Sequence, residues 1–273
     1  MKKQIETQNE HPKDEISLDY VGITNFKTLL VITRNGKTYH LAPIIEATIN
    51  LPAKLKGAHM SRISESVVEI INDERNAHNS VEELSLQVLK KLKEKHPYTK
   101  AHLSLNFDFF YETKTPKSKK KTFEVTNVFV KTWMEEGKAD QISISVEYIG
   151  NTVCPHAMKN NPEQRTHVQR ALGKLIIKGE IDQLPSFESM VKVLRNSFPS
   201  ETYSILKTED EQSVIENMFD NPMFVEDVCR SILALAIEEF SDLKLELTAV
   251  VKSLESIHKH DVVAKGSAKT AGK

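Results

Sequence analysis

Cysteine is nearly absent from this 273-residue chain, which carries only Cys154 and Cys229. One possible pair cannot build a disulfide framework, so the fold has to rest on its core, and a reducing compartment is expected. Long apolar runs are lacking too. The longest, "SILALAI" at 231–237, falls far short of the roughly 20 residues that cross a bilayer. The opening "MKKQIETQNEHPKDE" holds no apolar stretch of the signal-peptide kind, so no membrane association and a cytoplasmic setting are expected. Net charge is missing as well: 37 Lys and Arg stand against 38 Asp and Glu, a balance of -1. No overall field therefore draws the chain to nucleic acid. The one lysine run, at 117–121, has neither an aromatic for base stacking nor a glycine cradle, and reads as a solvated loop.

Hydrophobic residues make up 39% of the chain, enough for a proper core. Residues 1–16 and 264–273 ("AKGSAKTAGK") lack periodicity and read as frayed tails. Between them, "VGITNFKTLLVITRNGKTYHLAPIIEATINLP" contains strand-like runs joined at Asn35-Gly36, a dipeptide suited to the positive φ of a type I′ hairpin. "SRISESVVEIINDE" and "SVEELSLQVLKKLKEKH" have helical spacing, with Ser80 and Glu83 placed as a capping box. "KAHLSLNFDFFYET" and "TFEVTNVFVKTWME" then alternate as strands. The second half repeats this order: strands from "QISISVEYIGNTVC" and "HVQRALGKLIIKGE", helical spacing over 186–197 and 209–240, and a strand-rich end. Asn221-Pro222 reads as the start of a new helix. The expected fold class is α+β, with two tandem ββααββ units at 17–136 and 137–263.

Several residues could carry chemistry. Cys154, at a strand end in "NTVCPH", is a reactive thiol, a metal ligand or a small core residue. His258 and His260 in "HKH", two apart on an expected strand, would face one way. Glu211 and Glu226 fall early in helices, where complementing the helix dipole explains them without a site. In "LPAKLKGAHMSR", Lys54, Lys56, His59 and Arg62 gather around a glycine before a helix, a setting that favours a phosphate.

Five of these stretches, "LPAKLKGAHMSR", "NTVCPH", "HVQR", "DEQSVIENMFDNPMFVED" and "ESIHKHD", in this order over residues 21–263, resemble the type IB GTP cyclohydrolase family. The resemblance implies a tunnelling fold of antiparallel sheets with helices on one face, and a homo-oligomer, expected to be a tetramer, with active sites at subunit interfaces. It implies GTP as substrate and one divalent metal, Fe2+, Mn2+ or Zn2+, held by Cys154, His167, Glu211, Glu255 and His258. Cys154 would also take part in catalysis. Glu226 would anchor the purine or pterin ring, with His59, Arg62 and His260 as further substrate contacts.

The chain departs from the family pattern at three places. His156 stands where a second cysteine is usual, "HVQR" replaces "HNQR", and "HKHDVVA" is nearer the archaeal closing pattern, while the short Cys154–His167 gap is nearer the bacterial one. The expected activity is conversion of GTP and water to formate and 7,8-dihydroneopterin triphosphate, the first step of a folate-type pathway. The alternatives are the archaeal-type product, the 2′,3′-cyclic phosphate for methanopterin biosynthesis, and a non-catalytic purine- or pterin-binding protein of the same fold. A carboxylate at Glu226 would suit guanine, whose N1-H and 2-amino group offer two parallel donors that adenine lacks.

Overall fold

A computed structural model describes residues 6–34, 36–72, 80–96 and 98–272. It divides into two compact units, one of residues 1–107 and 129–143, the other of 108–128 and 144–273.

The first unit opens with β1 (Leu18–Lys27), followed by β2 (Leu30–Arg34), β3 (Lys37–Leu41) and β4 (Ile44–Leu51). The hairpin at Gly36 forms, with that residue at φ 72°, while Asn35 lies outside the described residues. It joins β2 to β3 in a separate two-stranded ribbon. The main-sheet partner of β1 is β4, paired antiparallel from Leu18↔Leu51 to Lys27↔Ile44. Helices α1 (Met60–Ile71) and α2 (Val81–Lys95) follow. Ser80 caps α2 by accepting from Glu83 N at 3.0 Å, and Ile63, Val67, Leu84, Val88, Leu89 and Leu92 are buried. Residues 73 and 74, the end of the first expected helix, are outside the described residues.

The long strands β5 (Lys100–Lys114), β6 (Lys121–Glu135) and β7 (Gln141–Val153) each have residues in both units. The second unit continues with α3 (Pro155–Asn160), β8 (Val168–Gly179), α4 (Phe187–Arg195), α5 (Thr208–Asp220), α6 (Val225–Glu239), β9 (Glu246–Ser253) and β10 (Val262–Lys269). Hydrogen bonding orders the strands β1-β4-β5-β6-β7-β8-β9-β10. The class is the expected one, a large antiparallel sheet with helices on one face. Ile144, Val146, Leu175, Ile177, Leu247 and Val251 from the second unit's strands are buried, as are Met190, Leu194, Val228 and Ile232 from its helices.

Four expectations need correction. Residues 264–269 of the expected C-terminal tail are not frayed, because β10 pairs with β9 from Val262↔Ser253 to Lys269↔Glu246. The small residues of that stretch admit a helix: a Cβ on Gly266 would come within 2.8 Å of Leu233 Cδ1 on α6. Asn221 closes α5 rather than opening α6, which begins at Val225. Residues 254–261 form a loop between β9 and β10, so "HKH" is not on a strand. At the other terminus, Gln8 O and Glu10 O accept from Gly57 N and Lys56 N at 3.2 and 3.0 Å, so residues 6–10 of the expected tail are docked.

The lysine loop after β5 is anchored by a residue the sequence did not single out. Asp210, fully buried in the first turn of α5, accepts from Lys117 N, Ser118 N and Ser118 Oγ at 2.9, 2.8 and 2.6 Å, and from Lys207 N at 3.1 Å. Burial pushes its pKa up, but the Ser118 hydroxyl and the three backbone N-H groups outweigh it and hold the carboxyl well below its ordinary 3.8. In the unfolded chain Asp210 takes up its proton near 3.8, while the folded carboxylate is still ionised. The folded state then binds fewer protons, so this stability is complete above that pH and is lost as pH falls toward the lowered folded value. Asp210→Asn is expected to lower the melting midpoint at pH 7. The gap from wild type should narrow below pH ~4, as melting curves across pH 2.5–7 would record.

Candidate active site

Three neighbouring strands of the second unit deliver the central residues to one end of the sheet. β7 ends at Val153, and Cys154 then caps the short α3, with Pro155 in its first turn and Sγ accepting from Ala157 N at 3.3 Å. Cys154 is half-buried, so the core-residue reading does not hold for it; Cys229, on α6, is the buried thiol. The backbone ties Cys154 to the start of β8: its N-H donates to His167 O at 3.3 Å, and Thr166 Oγ1 donates to its carbonyl at 2.7 Å. β9 is fastened alongside by Leu254 N donating to Arg170 O at 2.9 Å.

At this end Glu255 Oε2 lies 3.8 Å from His167 Nδ1, and both side chains are largely buried. Glu255 can face His167 because it lies in the loop after β9, which removes the strand alternation that would have turned it away. A row of polar side chains supports the pair. His167 Nδ1 is 2.8 Å from Gln169 Oε1, Gln169 Nε2 donates to Thr152 Oγ1 at 2.9 Å, and Thr152 Oγ1 is 3.0 Å from Ser253 Oγ. Ser253 Oγ donates to Glu255 Oε1 at 2.8 Å. Thr152 and Ser253 were not among the candidate residues expected from sequence. The spacing of two between Thr152 and Cys154, and between His167 and Gln169, was the available signal, since such residues share a strand face.

The other expected residues are placed differently. His258 and His260 lie exposed in the loop with their rings stacked, centroids 5.1 Å apart and 13° from parallel. Glu211 and Glu226 are exposed in the first turns of α5 and α6. The segment leading into α6 is tied to the site, because Val153 N donates to Met223 O at 3.3 Å. His156, in place of the second cysteine, is exposed and joined to Asn160 one turn on. Among the described residues, no three His, Cys, Asp or Glu side chains converge as a metal-holding group. His59 and Arg62 belong to the first unit, where the docked N-terminal segment engages them. His59 Nε2 is 3.2 Å from Asn9 Oδ1, and Arg62 pairs with Glu6 at 3.3 Å. Lys56 pairs in the same way with Glu10 at 2.8 Å. Carboxylates thus engage Lys56 and Arg62 where a phosphate was expected.

Residues 5–264 match the family model described as type I GTP cyclohydrolase folE2. The chain belongs to this family. Within the GTP cyclohydrolase family, it is 42% identical over 265 residues to a protein of Pyrococcus abyssi named GTP cyclohydrolase MptA, covering 95% of this chain and 98% of that one. It is 42% identical to the protein of the same name from Thermococcus kodakarensis, over the same shares. With the Methanococcus vannielii protein of that name it shares 32% over 299 residues, 97% of this chain and 96% of the other. The type IB resemblance therefore holds, and with it the assignment as an enzyme of this type. Among solved structures, uricase from Arthrobacter globiformis superposes with a TM-score of 0.58 at 9% identity, covering 93% of this chain and 94% of that one. At that identity the likeness concerns the fold alone, and it agrees with a tunnelling fold. Among the described residues, no helix is long and apolar enough to cross a membrane.

Proposed function

We propose that this GTP cyclohydrolase opens guanine at C8, releases formate and yields 7,8-dihydroneopterin 2′,3′-cyclic phosphate. The triphosphate product, the first expectation from sequence, gives way to this alternative. The supporting observation is the 42% identity, over nearly the full length of both chains, to proteins named GTP cyclohydrolase MptA. The archaeal form of "HKHDVVA" agrees with it.

The residues at the strand ends suit a divalent metal. Gln169 engages His167 Nδ1 and leaves Nε2 as the donor; with a thiol at Cys154 and a carboxylate at Glu255 it would make a mixed soft and hard set whose donor chemistry is compatible with Fe2+, Mn2+ or Zn2+ once the side chains, which do not converge among the described residues, are drawn together. Cys154, His167 and Glu255 would hold it, with Glu211 and His258 joining from exposed positions. A divalent metal supplies Lewis acidity that lowers the pKa of water from 15.7 toward about 7. The chain's own part is to bind and orient. Glu226 accepts from guanine N1-H and the 2-amino group, His260 faces substrate from the loop, and His59 and Arg62 take the phosphates once Glu6 yields them. Exposure of Glu211, Glu226, His258 and His260 suits a homo-oligomer, a tetramer on the family pattern, whose sites are completed at subunit interfaces.

Anaerobic incubation with GTP and each metal in turn, followed by mass spectrometry, tests the reading. Formate, diphosphate and the cyclic phosphate are expected, diphosphate being what a triphosphate loses on closing to a cyclic monophosphate. Accumulation of the triphosphate would overturn the product assignment. GTP left intact with all three metals would overturn the catalytic one and favour a binding protein.

A further inference from the structure

We propose that Gln169 is a positioning residue. With Thr152, Ser253 and Glu255, it holds His167 in the tautomer that carries its proton on Nδ1 and presents Nε2 as an electron-pair donor. The argument runs from the carboxylate backwards. Glu255 Oε1, as a carboxylate oxygen, can only accept, so Ser253 spends its hydroxyl proton there at 2.8 Å. The contact between Thr152 Oγ1 and Ser253 Oγ at 3.0 Å must then take its proton from Thr152. With its own proton spent, Thr152 Oγ1 can only accept, which requires the amide nitrogen of Gln169 at 2.9 Å. The amide oxygen of Gln169 is thereby turned to His167, and an oxygen 2.8 Å from Nδ1 requires a proton on that nitrogen. Ser256 Oγ donates to the same amide oxygen at 3.4 Å.

Turning the amide over breaks the row. Thr152 would have to donate to the amide oxygen while Ser253 still donates to Glu255, leaving two hydroxyl oxygens 3.0 Å apart with no proton between them. Water cannot readily repair that, because Thr152 is 1% exposed, Ser253 0% and Gln169 8%. Buried polar groups left without a partner are costly, which makes the satisfied direction the stable one. The partner of one imidazole nitrogen sets what the other can do. Gln169 thus acts on His167 without touching substrate, and a carboxylate fixes the proton on a ring it reaches through four hydrogen bonds.

The proposal rests on the reading above only in taking His167 as a metal-facing donor. Its test does not require turnover. Long-range 1H–15N spectra of the full-length, metal-free protein, with the His167 signals assigned by their loss in His167→Asn, report the tautomer directly. The Nδ1-H pattern is expected in wild type. It should persist in Gln169→Glu, which presents an acceptor to Nδ1 whichever way it turns even though it gives up the donor to Thr152, and be lost in Gln169→Leu, which has none. Zn2+ affinity, measured by competition with a chromophoric chelator, is expected to fall about 10- to 100-fold in Gln169→Leu and to stay within a few-fold in Gln169→Glu. A wild-type His167 protonated on Nε2 overturns the proposal, even if no variant folds. So does a Gln169→Leu protein that keeps the Nδ1-H pattern or binds Zn2+ within twofold of wild type.

Discussion

Cys154→Ala is expected to reduce GTP turnover to background and remove bound metal, while the protein melts almost where wild type does. The thiol is half-buried, and its one hydrogen bond among the described residues caps a helix of six residues by accepting from Ala157 N at 3.3 Å. Losing a cap of this kind costs about 0.5–2 kcal/mol, and in a chain of this size each kcal/mol lowers the melting midpoint by roughly 2–4 °C. Against that modest effect stands the loss of the sulfur proposed above as metal ligand and nucleophile, at the point where β7, β8 and the loop after β9 meet. Cys229→Ala supplies the contrast. Its thiol is buried, its pKa is pushed up by burial, and its Sγ packs 3.7 Å from Ala249 O beneath β10. That substitution should lower stability and leave turnover intact. Turnover, metal content and melting midpoint measured on both variants decide the matter. Retained turnover in Cys154→Ala would make Cys154 a structural residue despite its placement.

The contrast between the two cysteines was only half legible in the sequence. Both lie next to apolar residues, and only the chain's turn into α3 after Val153 exposes one of them. Local signals read well where one residue decides the geometry: Ser80 caps α2, and Gly36 turns the β2–β3 ribbon. They read poorly where a distant partner decides. The hairpin dipeptide could not disclose that β1 skips the ribbon and pairs with β4. The small residues of β10 looked like a tail until Leu233 was found against Gly266. "ESIHKHD" looked like strand because its apolar flanks are strand, yet the loop is what allows Glu255 to turn toward His167. The row from Gln169 to Glu255 was least legible of all, since it depends on how β7, β8 and β9 align, and Thr152 and Ser253 are 101 positions apart.

Glu226→Gln is expected to leave metal content and the melting midpoint unchanged while weakening GTP turnover about thirty-fold to a thousand-fold. The alternative explanation of this residue is that an acid in the first turn of α6 complements the helix dipole, worth about 0.3–1 kcal/mol. The structure gives much of that task to its neighbour: Asp227 Oδ2 accepts from Phe224 N at 3.2 Å and closes the helix start, and Asp227 also pairs with Arg230 at 3.0 Å. Glu226 is exposed and makes no side-chain hydrogen bond or ion pair within the described residues. Its carboxylate is therefore available to guanine, on a helix whose lead-in is hydrogen-bonded to β7 one residue before Cys154. An amide in its place would accept one guanine donor and set its own NH2 against the other. Losing one charge-assisted hydrogen bond and leaving a donor unpaired costs about 2–4 kcal/mol, which converts to the stated fall in kcat/KM. Steady-state kinetics with GTP, beside a melting curve and metal analysis, separates the two roles. Normal kinetics with a lowered melting point would return Glu226 to the helix dipole and leave guanine recognition to another residue.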